Sequence, residues 1–515
     1  MKLKQEKMPA KSNPFQKVRV PKPKRSLFDL SHERKMSIKF SKIYPMLLEE
    51  IVPGDQFQVT SEVFARLAPL IAPVMHRINI FIHYFFVPHR LVWENWETFI
   101  TGDFDGLDSS EVPYTVLDNS SKSVFAEHSL ADYFGFSVDQ SPTYTNQVNI
   151  NFLPFRGYGL IWDEYYRDQA LDSAKTVSKG DTVTTGERNT FSNPFERRWE
   201  KDYFTSASTQ AQRGASQAIP VTLEYDKPPV VRKADDDTVI ANMTGFQTDA
   251  SGNLHDNAPN EAYIDVFGGD GELDVTISDL RRSTAIQRWL ERNARAGSRY
   301  VEQLLSHFGV RSKDQRLQRP EYLGGGVMPI TVSEVLNTSA TATEPQGNMA
   351  GHGLGMSSNQ GFKRYFTEHG YIHGLVSVLP RTCYQQGIPK HFLKNDKYDF
   401  YWPEFAHIGE QAIDDRELYL DTNLATSTFG YQQRYAEYKY RQDSVHGDFR
   451  STLDHWHAGR IFDAKPVLNA NFVKAETDPT DRLFAVVSST DDIYLQIYNN
   501  VRAIRPIPYY SDPRL

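Results

Sequence analysis

The most regular hydrophobic pattern of the chain lies in residues 77–100, where apolar side chains recur at every second position. Ile78, Ile80, Ile82, Tyr84 and Phe86 therefore share one face of a predicted β-strand. Three of the five intervening residues are also apolar or aromatic, which predicts burial on both faces, in the middle of a core between packed sheets. Proline at position 88 is expected to end the strand, and a short helical pattern follows to residue 100.

Two further segments have the spacing of amphipathic helices. Residues 153–171 predict a helix of about three turns. Residues 278–294 form the clearest helical pattern, with Ser278 or Asp279 as the expected N-cap. Gly297 is expected to interrupt this helix, because glycine is a poor helix former.

The remaining apolar runs are short and predict strands. They are residues 371–380, 467–473, 483–487 and 493–497. Residues 309–326, which end in three glycines, and residues 337–361 are expected to be loops. Short strands between long loops predict an antiparallel β-sandwich or barrel.

Residues 222–275 differ in composition from the rest of the chain: they are acidic, rich in turn residues and weakly periodic. This composition predicts an insertion carried on the surface of a single domain that spans residues 26–515. Within it, residues 268–274 faintly resemble a calcium-binding loop but lack the ligand spacing, so a solvated acidic turn is favoured.

The first 25 residues form a cationic arm on an acidic body. The arm has nine basic residues and one acidic residue, a net charge of +8; since the 515-residue chain carries −8, residues 26–515 carry −16. The basic residues are Lys2, Lys4, Lys7, Lys11, Lys17, Arg19, Lys22, Lys24 and Arg25. This layout is typical of an arm that binds a polyanion such as nucleic acid, and a solvated tail that aids solubility is the alternative.

A second candidate for phosphate binding is a row of arginines on the predicted helix. Its members are Arg281, Arg288, Arg292 and Arg295, with Arg299 beyond the glycine. Their spacing places them on one helical face. A solvated face tied by Glu291 and Glu302 is an equally weighted alternative.

The sequence has no motif for catalysis, a cofactor or a metal. His455 and His457 would point the same way on a strand but lack a third ligand nearby, which is a weak metal signal. The single cysteine, Cys383, excludes an intrachain disulfide and is expected to be a buried, inert thiol. No apolar run approaches the ~20 residues of a membrane-spanning helix, so membrane insertion is not expected.

Several blocks of the chain resemble the major capsid protein of the Microviridae, small single-stranded-DNA bacteriophages, and most closely the gokushovirus-like branch. The blocks include SHERK (31–35), YFFVPHRLVWENW (84–96), LPFRGYGLIWDEYYRDQAL (153–171), ERNARAGSRYVEQLLSHFGVRSKDQRLQRPEYLGGG (291–326), FTEHGYIHGLVSVLPRTCYQQG (366–387) and FGYQQRYAEYKY (429–440). The resemblance runs in order from about residue 26 to the C-terminus. It is weak in residues 1–25, 101–125, 172–193 and 222–275.

The resemblance implies an eight-stranded viral jelly roll with long insertions and no enzymatic activity. It implies a T=1 icosahedral shell, built from pentamers and threefold contacts, around a circular single-stranded DNA. It also implies a small basic DNA-binding viral protein as partner, a host-cell receptor, assembly in the bacterial cytoplasm and a place in the virion. Residues 222–275 are then the candidate threefold protrusion and host-attachment element.

One alternative from a different functional class remains open at this point. A jelly roll can also be a carbohydrate-binding protein or a glycan-cleaving enzyme, which would use exposed tryptophans such as Trp199 or Trp456 and a pair of carboxylates. Size in solution separates the two, because a capsid protein forms pentamers or shells.

Overall fold

The structure is a computed structural model that describes most of the chain outside the N-terminal arm. The described residues are 24–102, 109–136, 144, 146–175, 177–214, 222–224, 230–233, 247–248, 254–255, 262–265, 272–274, 276–296, 299–339, 346–422, 425–475, 478–486 and 491–510.

The strands, in chain order, are β1 (Ser26–Asp29), β2 (His32–Ile38), β3 (Ile43–Ile51), β4 (Gln56–Leu67), β5 (Ile78–Pro88), β6 (Tyr114–Leu117), β7 (Val148–Asn151), β8 (Thr222–Glu224), β9 (Val230–Lys233), β10 (Gln247–Thr248), β11 (Leu254–His255), β12 (Ala262–Asp265), β13 (Glu272–Asp274), β14 (Glu321–Leu336), β15 (Met349–Tyr365), β16 (Gly370–Pro380), β17 (Glu410–Asp414), β18 (Thr428–Gln433) and β19 (Ile493–Arg505).

The α-helices are α1 (His89–Val92), α2 (Trp96–Thr101), α3 (Leu130–Phe134), α4 (Leu153–Ile161), α5 (Thr185–Thr190), α6 (Ile277–Ala296), α7 (Tyr300–Phe308), α8 (Ala470–Val473) and α9 (Asp478–Asp481). A π-helical turn, Trp162–Tyr166, continues α4. Single 3-10 turns lie at Lys122–Phe125, Lys390–Phe392, Lys397–Asp399, Pro403–Phe405, Asp415–Glu417, Ala436–Tyr438, Gly447–Arg450 and Asp454–Trp456.

The principal sheet is antiparallel, with strand order β1-β19-β4-β15-β14-β5-β16-β3. Strand β2 also pairs with β19, next to the segment that pairs with β1. The nine strands therefore occupy eight positions, and the predicted eight-stranded jelly roll of the mainly-β class is confirmed.

The sheet rolls into two layers because β14 belongs to both layers. Its residues 321–330 pair with β5, and its residues 331–336 pair with β15. Side chains then bond across the space between the layers: the Tyr84 hydroxyl on β5 donates to Ser61 Oγ on β4 at 2.6 Å. The same hydroxyl oxygen of Ser61 donates to Asn499 on β19 at 2.6 Å. The main hydrophobic core fills the interior of this roll.

Strand β5 is buried on both faces, as its sequence predicts. The even-numbered residues 78–86 belong to the core inside the roll. On the other face, Phe85 and Val87 pack in a second core against α1, α3 and α4. Large side chains in this second core are Trp93, which directly follows α1, and Phe155 and Tyr158 of α4, all almost fully buried. One outer face of the roll is thereby covered by the chain itself.

The second parts of the two predicted loops, residues 321–326 and 349–361, instead belong to the longest strands, β14 and β15. The glycines in these segments predict loops, but in the structure they allow neighbouring strands to approach closely. A Cβ on Gly325 would lie 2.2 Å from the carbonyl oxygen of Ile82, and one on Gly361 would lie 2.0 Å from that of Val59. The register also shifts between Tyr322 and Gly324, where a bulge begins.

Other boundaries also differ from the prediction. The helix predicted for residues 153–171 ends at Tyr166, after α4 and its π-helical turn. Residues 467–473 contain the one-turn helix α8, and residues 483–486 form no strand. The last predicted strand is confirmed and is longer than expected, as β19.

Residues Gln210–Ser298 form a separate compact unit. In it, β8 pairs with β13, β9 with β12 and β10 with β11, and α6 runs for 20 residues. Helix α6 is confirmed, but its cap is Thr276, whose hydroxyl oxygen accepts from the Asp279 backbone N–H at 3.1 Å. Most of residues 222–275, including most of the weak calcium-loop candidate, lie outside the described residues.

Candidate nucleic-acid interface

Most of the predicted basic arm lies outside the described residues. Those members are Lys2, Lys4, Lys7, Lys11, Lys17, Arg19 and Lys22. Lys24 and Arg25 are described and exposed, directly before β1. The Arg25 guanidinium lies over the ring of Tyr365, 5.3 Å from its centroid, and donates to the Tyr365 hydroxyl at 3.3 Å. Arg25 thus anchors the end of the arm to β15.

The predicted arginine row is present on α6. Arg281, Arg288, Arg292 and Arg295 are all exposed and share one face of the helix at their spacing of seven, four and three. Arg295 forms an ion pair of 3.7 Å with Glu291, one of the two acidic residues named in the solvated-face alternative. The row therefore has the geometry for phosphate contact, and one of its members is already partly neutralised.

Arg299 does not continue this row. It caps the start of α7, and its guanidinium donates to the carbonyl oxygens of Asp163 at 2.9 Å and Arg167 at 3.1 Å. Burial lowers the pKa of Arg299, and Glu302 opposes that shift from 3.6 Å. This arginine has a structural role, holding α7 against the π-helical turn.

A cleft with a cavity volume of about 730 Å³, which we call the tyrosine cleft, lies where the π-helical turn meets the start of β14. Aromatic rings form its floor. The Tyr322 ring, 46% exposed, lies 5.5 Å from the ring of Phe85 and 6.0 Å from that of His83. Beneath it, His83 Nδ1 and the Tyr166 hydroxyl share a hydrogen bond of 2.7 Å. Burial lowers the pKa of His83 to about 4, so its ring is neutral at pH 7.

Four basic residues line the tyrosine cleft, and two of them are already paired. Arg319 lies 2.9 Å from Asp314, and Arg364 lies 2.7 Å from Glu321. Arg311 and Lys313 are exposed at the same cleft. Neither of these two cations has an ion-pair partner within the described part of the chain, so both remain available to a bound anion.

An exposed ring beside free cations suits one nucleotide of a single strand. A base can stack on Tyr322 while its phosphate meets Arg311 or Lys313, since every base has a π-face and every phosphate a negative charge. The sequence prediction missed this cleft because its walls come from four distant segments. The density of basic residues in residues 311–319 is a signal of the cleft in the sequence, but by its composition that segment predicts a loop.

The remaining site candidates from the sequence are the histidine pair and the single cysteine. His455 and His457 do not share a strand, since residues 454–456 form a 3-10 turn and the His457 ring bonds to the Phe449 carbonyl at 2.8 Å. Among the described residues, no cluster of three metal-ligating side chains occurs. Cys383 is buried, as predicted, and burial raises its pKa to about 11.

The glycan-binding alternative depended on exposed tryptophans. Trp199 is only 4% exposed and packs against Phe81 and Leu379, so the expectation of an exposed Trp199 is wrong. Trp456 is half-buried. Across the described residues, no helix is both long and apolar enough to cross a membrane.

Comparison with known proteins gives one consistent result. A family model described as "Capsid protein (F protein)" matches residues 16–515. Capsid protein VP1 of Chlamydia phage 1 is 35% identical, with 98% of each chain aligned. Capsid protein VP1 of Bdellovibrio phage phiMH2K is 34% identical over 95% of each chain, and that of Spiroplasma virus 4 is 29% identical over the full length of both.

Proposed function

This chain belongs to the phage capsid protein (F protein) family, and from that premise we propose that it builds a T=1 icosahedral shell around a circular single-stranded DNA genome. As a member of the family it is a structural capsid protein of the virion and assembles with copies of itself. The observation that carries the proposal is similarity over nearly the whole length to three phage capsid proteins, together with a jelly-roll fold. The proposed role is structural, without catalysis.

In the proposed shell, sixty copies form pentamers that meet at threefold contacts after synthesis in the bacterial cytoplasm. A jelly roll supplies a rigid unit of defined shape, which closed symmetry requires. The exposed aromatic side chains near residues 392–402 support extensive contact between copies, because aromatic residues are enriched in protein interfaces.

We further propose that three elements contact the genome. The first is the arm of residues 1–25, the second is the arginine row of α6, and the third is the tyrosine cleft. The first two supply phosphate neutralisation without sequence preference. The cleft adds stacking, which favours a single strand over a duplex because only unpaired bases are free to insert. A small basic viral protein would share the remaining neutralisation.

Residues 222–275 are proposed as a surface element for host attachment or threefold contacts. Supporting this, they fall inside the separate compact unit of residues Gln210–Ser298, so the rolled sheet does not depend on their internal contacts. Their acidic, turn-rich composition also differs from that of the sheet. Replacing them with a short turn should spare folding and impair attachment or trimer contacts; a chain that cannot fold would contradict the proposal.

The test of the shell is negative-stain imaging of the purified protein with and without circular single-stranded DNA. Uniform spheres of roughly 250–300 Å are expected, the scale at which about sixty compact subunits of this mass close. Monomers under all salt conditions would contradict the proposal. Deleting residues 1–25 should leave the jelly roll folded and lower nuclease-protected DNA per particle, and unchanged DNA content would remove the arm from the proposed interface.

A further inference from the structure

Strand β14 has one edge without a partner at its C-terminal end. Its first ten residues, as far as Ile330, pair with β5. Residues 331–336 pair only with β15, through the register Ser333 opposite His352 and Val335 opposite Ala350. No described strand lies along their other edge. The result is a two-stranded ribbon that extends past the end of β5.

This edge is apolar and accessible. Val335 is 51% exposed and Leu336 is 50% exposed, and Ser333 and Glu334 are exposed as well. The six residues, TVSEVL, are rich in β-branched side chains and contain neither proline nor lysine. Proline, bulges and charge are the features that usually protect a free strand edge from pairing, and one glutamate is the only one of them present here.

From this edge we propose that residues 331–335 of β14 pair antiparallel with the same residues of a second copy across a two-fold axis. The proposal rests on the proposed function, because a capsid protein must associate with its own copies. Two-fold pairing adds one strand to each ribbon and closes both edges at once. It joins two β14–β15 ribbons into a four-stranded sheet and buries exposed valine.

Side-chain complementarity selects the register. A two-fold axis perpendicular to the ribbon places the outer faces of the two copies on the same side of the joined sheet. In such a pair, the axis passes between one residue and the same residue of the second copy, rather than between two peptide bonds. With Ser333 at the centre, Thr331 lies opposite Val335 of the second copy and Val332 lies opposite its Glu334. With Glu334 at the centre, two glutamates would face each other, which destabilises a strand pair. Centring the pair on Val332 would require the edge at Ile330, which β5 occupies.

The experiment uses disulfide cross-linking, which suits this chain because its single cysteine, Cys383, is buried. Residues directly opposite in an antiparallel pair have Cβ atoms about 4.5–5.5 Å apart, close to the separation a disulfide needs. Assembled S333C protein, oxidised mildly, should give covalent dimers at about ten times the yield of the control or more. The control is H352C, on the same outer face but one strand further from the proposed axis.

The register has its own readout. T331C and V335C should cross-link poorly alone and efficiently when the two variants are mixed before assembly. Shells in which S333C cross-links no better than H352C would overturn the inference and leave the proposed function intact. Cross-linked S333C dimers without shells would support the inference and contradict the shell. If S333C cross-links only after deletion of residues 1–23, the arm occupies this edge, and the inference is overturned.

Discussion

The guanidinium of Arg156 and the carboxylate of Glu187 form a buried ion pair, with Nε of the arginine 2.9 Å from Oε1 of the glutamate. Arg156 is fully buried in α4 and also donates to the carbonyl oxygens of Gly180 at 2.8 Å and Thr182 at 3.1 Å. Glu187 lies in the first turn of α5 and accepts from the Ser178 backbone N–H at 3.2 Å. One arginine therefore attaches the whole segment of residues 178–187 to the helical layer.

Removing one partner of this pair should be costly, because the other charge stays buried without compensation. We expect R156M to lower the free energy of unfolding by about 3–5 kcal/mol and E187Q by somewhat less. The double variant R156M/E187Q should lose less than the sum, since its buried charges are both removed. Chemical denaturation measures all three. Additive losses would show that the two side chains act independently.

Gly157 lies one residue further along α4, against His373 of β16. A Cβ at this position would lie 2.6 Å from Nε2 of His373, whose ring is fully buried. We expect G157A to destabilise the fold by about 1–3 kcal/mol through overpacking, although alanine is the better helix former. The control is G186A in α5, where the nearest atom to a Cβ is 3.9 Å away. Its stability should be unchanged or slightly higher, and equal effects of the two variants would contradict the steric argument.

The buried carboxyl group of Asp492 gives a pH-dependent prediction. Burial raises its pKa to about 6, helped by Asp481 and Asp491 and opposed by Lys39 and by a hydrogen bond of 3.3 Å from the Phe40 backbone N–H. The folded state therefore keeps a proton that the unfolded state releases from about pH 4 upward. Stability contributed by this group is present below pH 4 and is lost as the pH rises through about 6.

D492N should mimic the protonated side chain and keep the acceptor for Phe40. We expect it to raise the free energy of unfolding by about 1–3 kcal/mol at pH 7.5, with no gain at pH 4, as followed by denaturant titration at both pH values. D118N serves as a control of opposite sign, because hydrogen bonds from Ser120 and Ser121 lower the pKa of Asp118. A gain for D492N that is independent of pH would exclude the titration of this carboxyl group as its cause.

The sequence predicts those elements whose periodicity is uninterrupted. Strand β5, strand β16 and helix α6 have clear two- or 3.6-residue patterns, and each is confirmed. The sequence does not predict strands β14 and β15, because Gly325 and Gly361 are needed for close packing against the backbone of a neighbouring strand. The sequence of one strand does not show how closely its neighbour packs. Likewise, residues 178–187 look like a polar loop in isolation, since the arginine that organises them lies in α4.

The candidate site shows the same difference between features that are local in the sequence and features that depend on the fold. The charge of the arm and the arginine row are local features, and the sequence alone indicates both. The tyrosine cleft is a product of topology: His83 comes from β5, Tyr166 from the π-helical turn and Tyr322 from β14. These positions meet only because β14 pairs with β5, so no local pattern contains the cleft.

The tyrosine cleft can be tested apart from the arm, because Tyr322 is exposed, whereas the Phe85 ring under it is buried and the His83 ring is half-buried. Y322A should weaken binding of a single-stranded oligonucleotide by about 5- to 100-fold, the loss of one stacked base. R311Q should lower the slope of log affinity against log salt by about one phosphate contact. Fluorescence anisotropy at several salt concentrations measures both quantities.

Y498A, which removes an exposed tyrosine from β19, is the matched control. If Y322A and Y498A bind the oligonucleotide equally well, the cleft does not stack a base, and the proposed DNA contact is left to the arm and the arginine row.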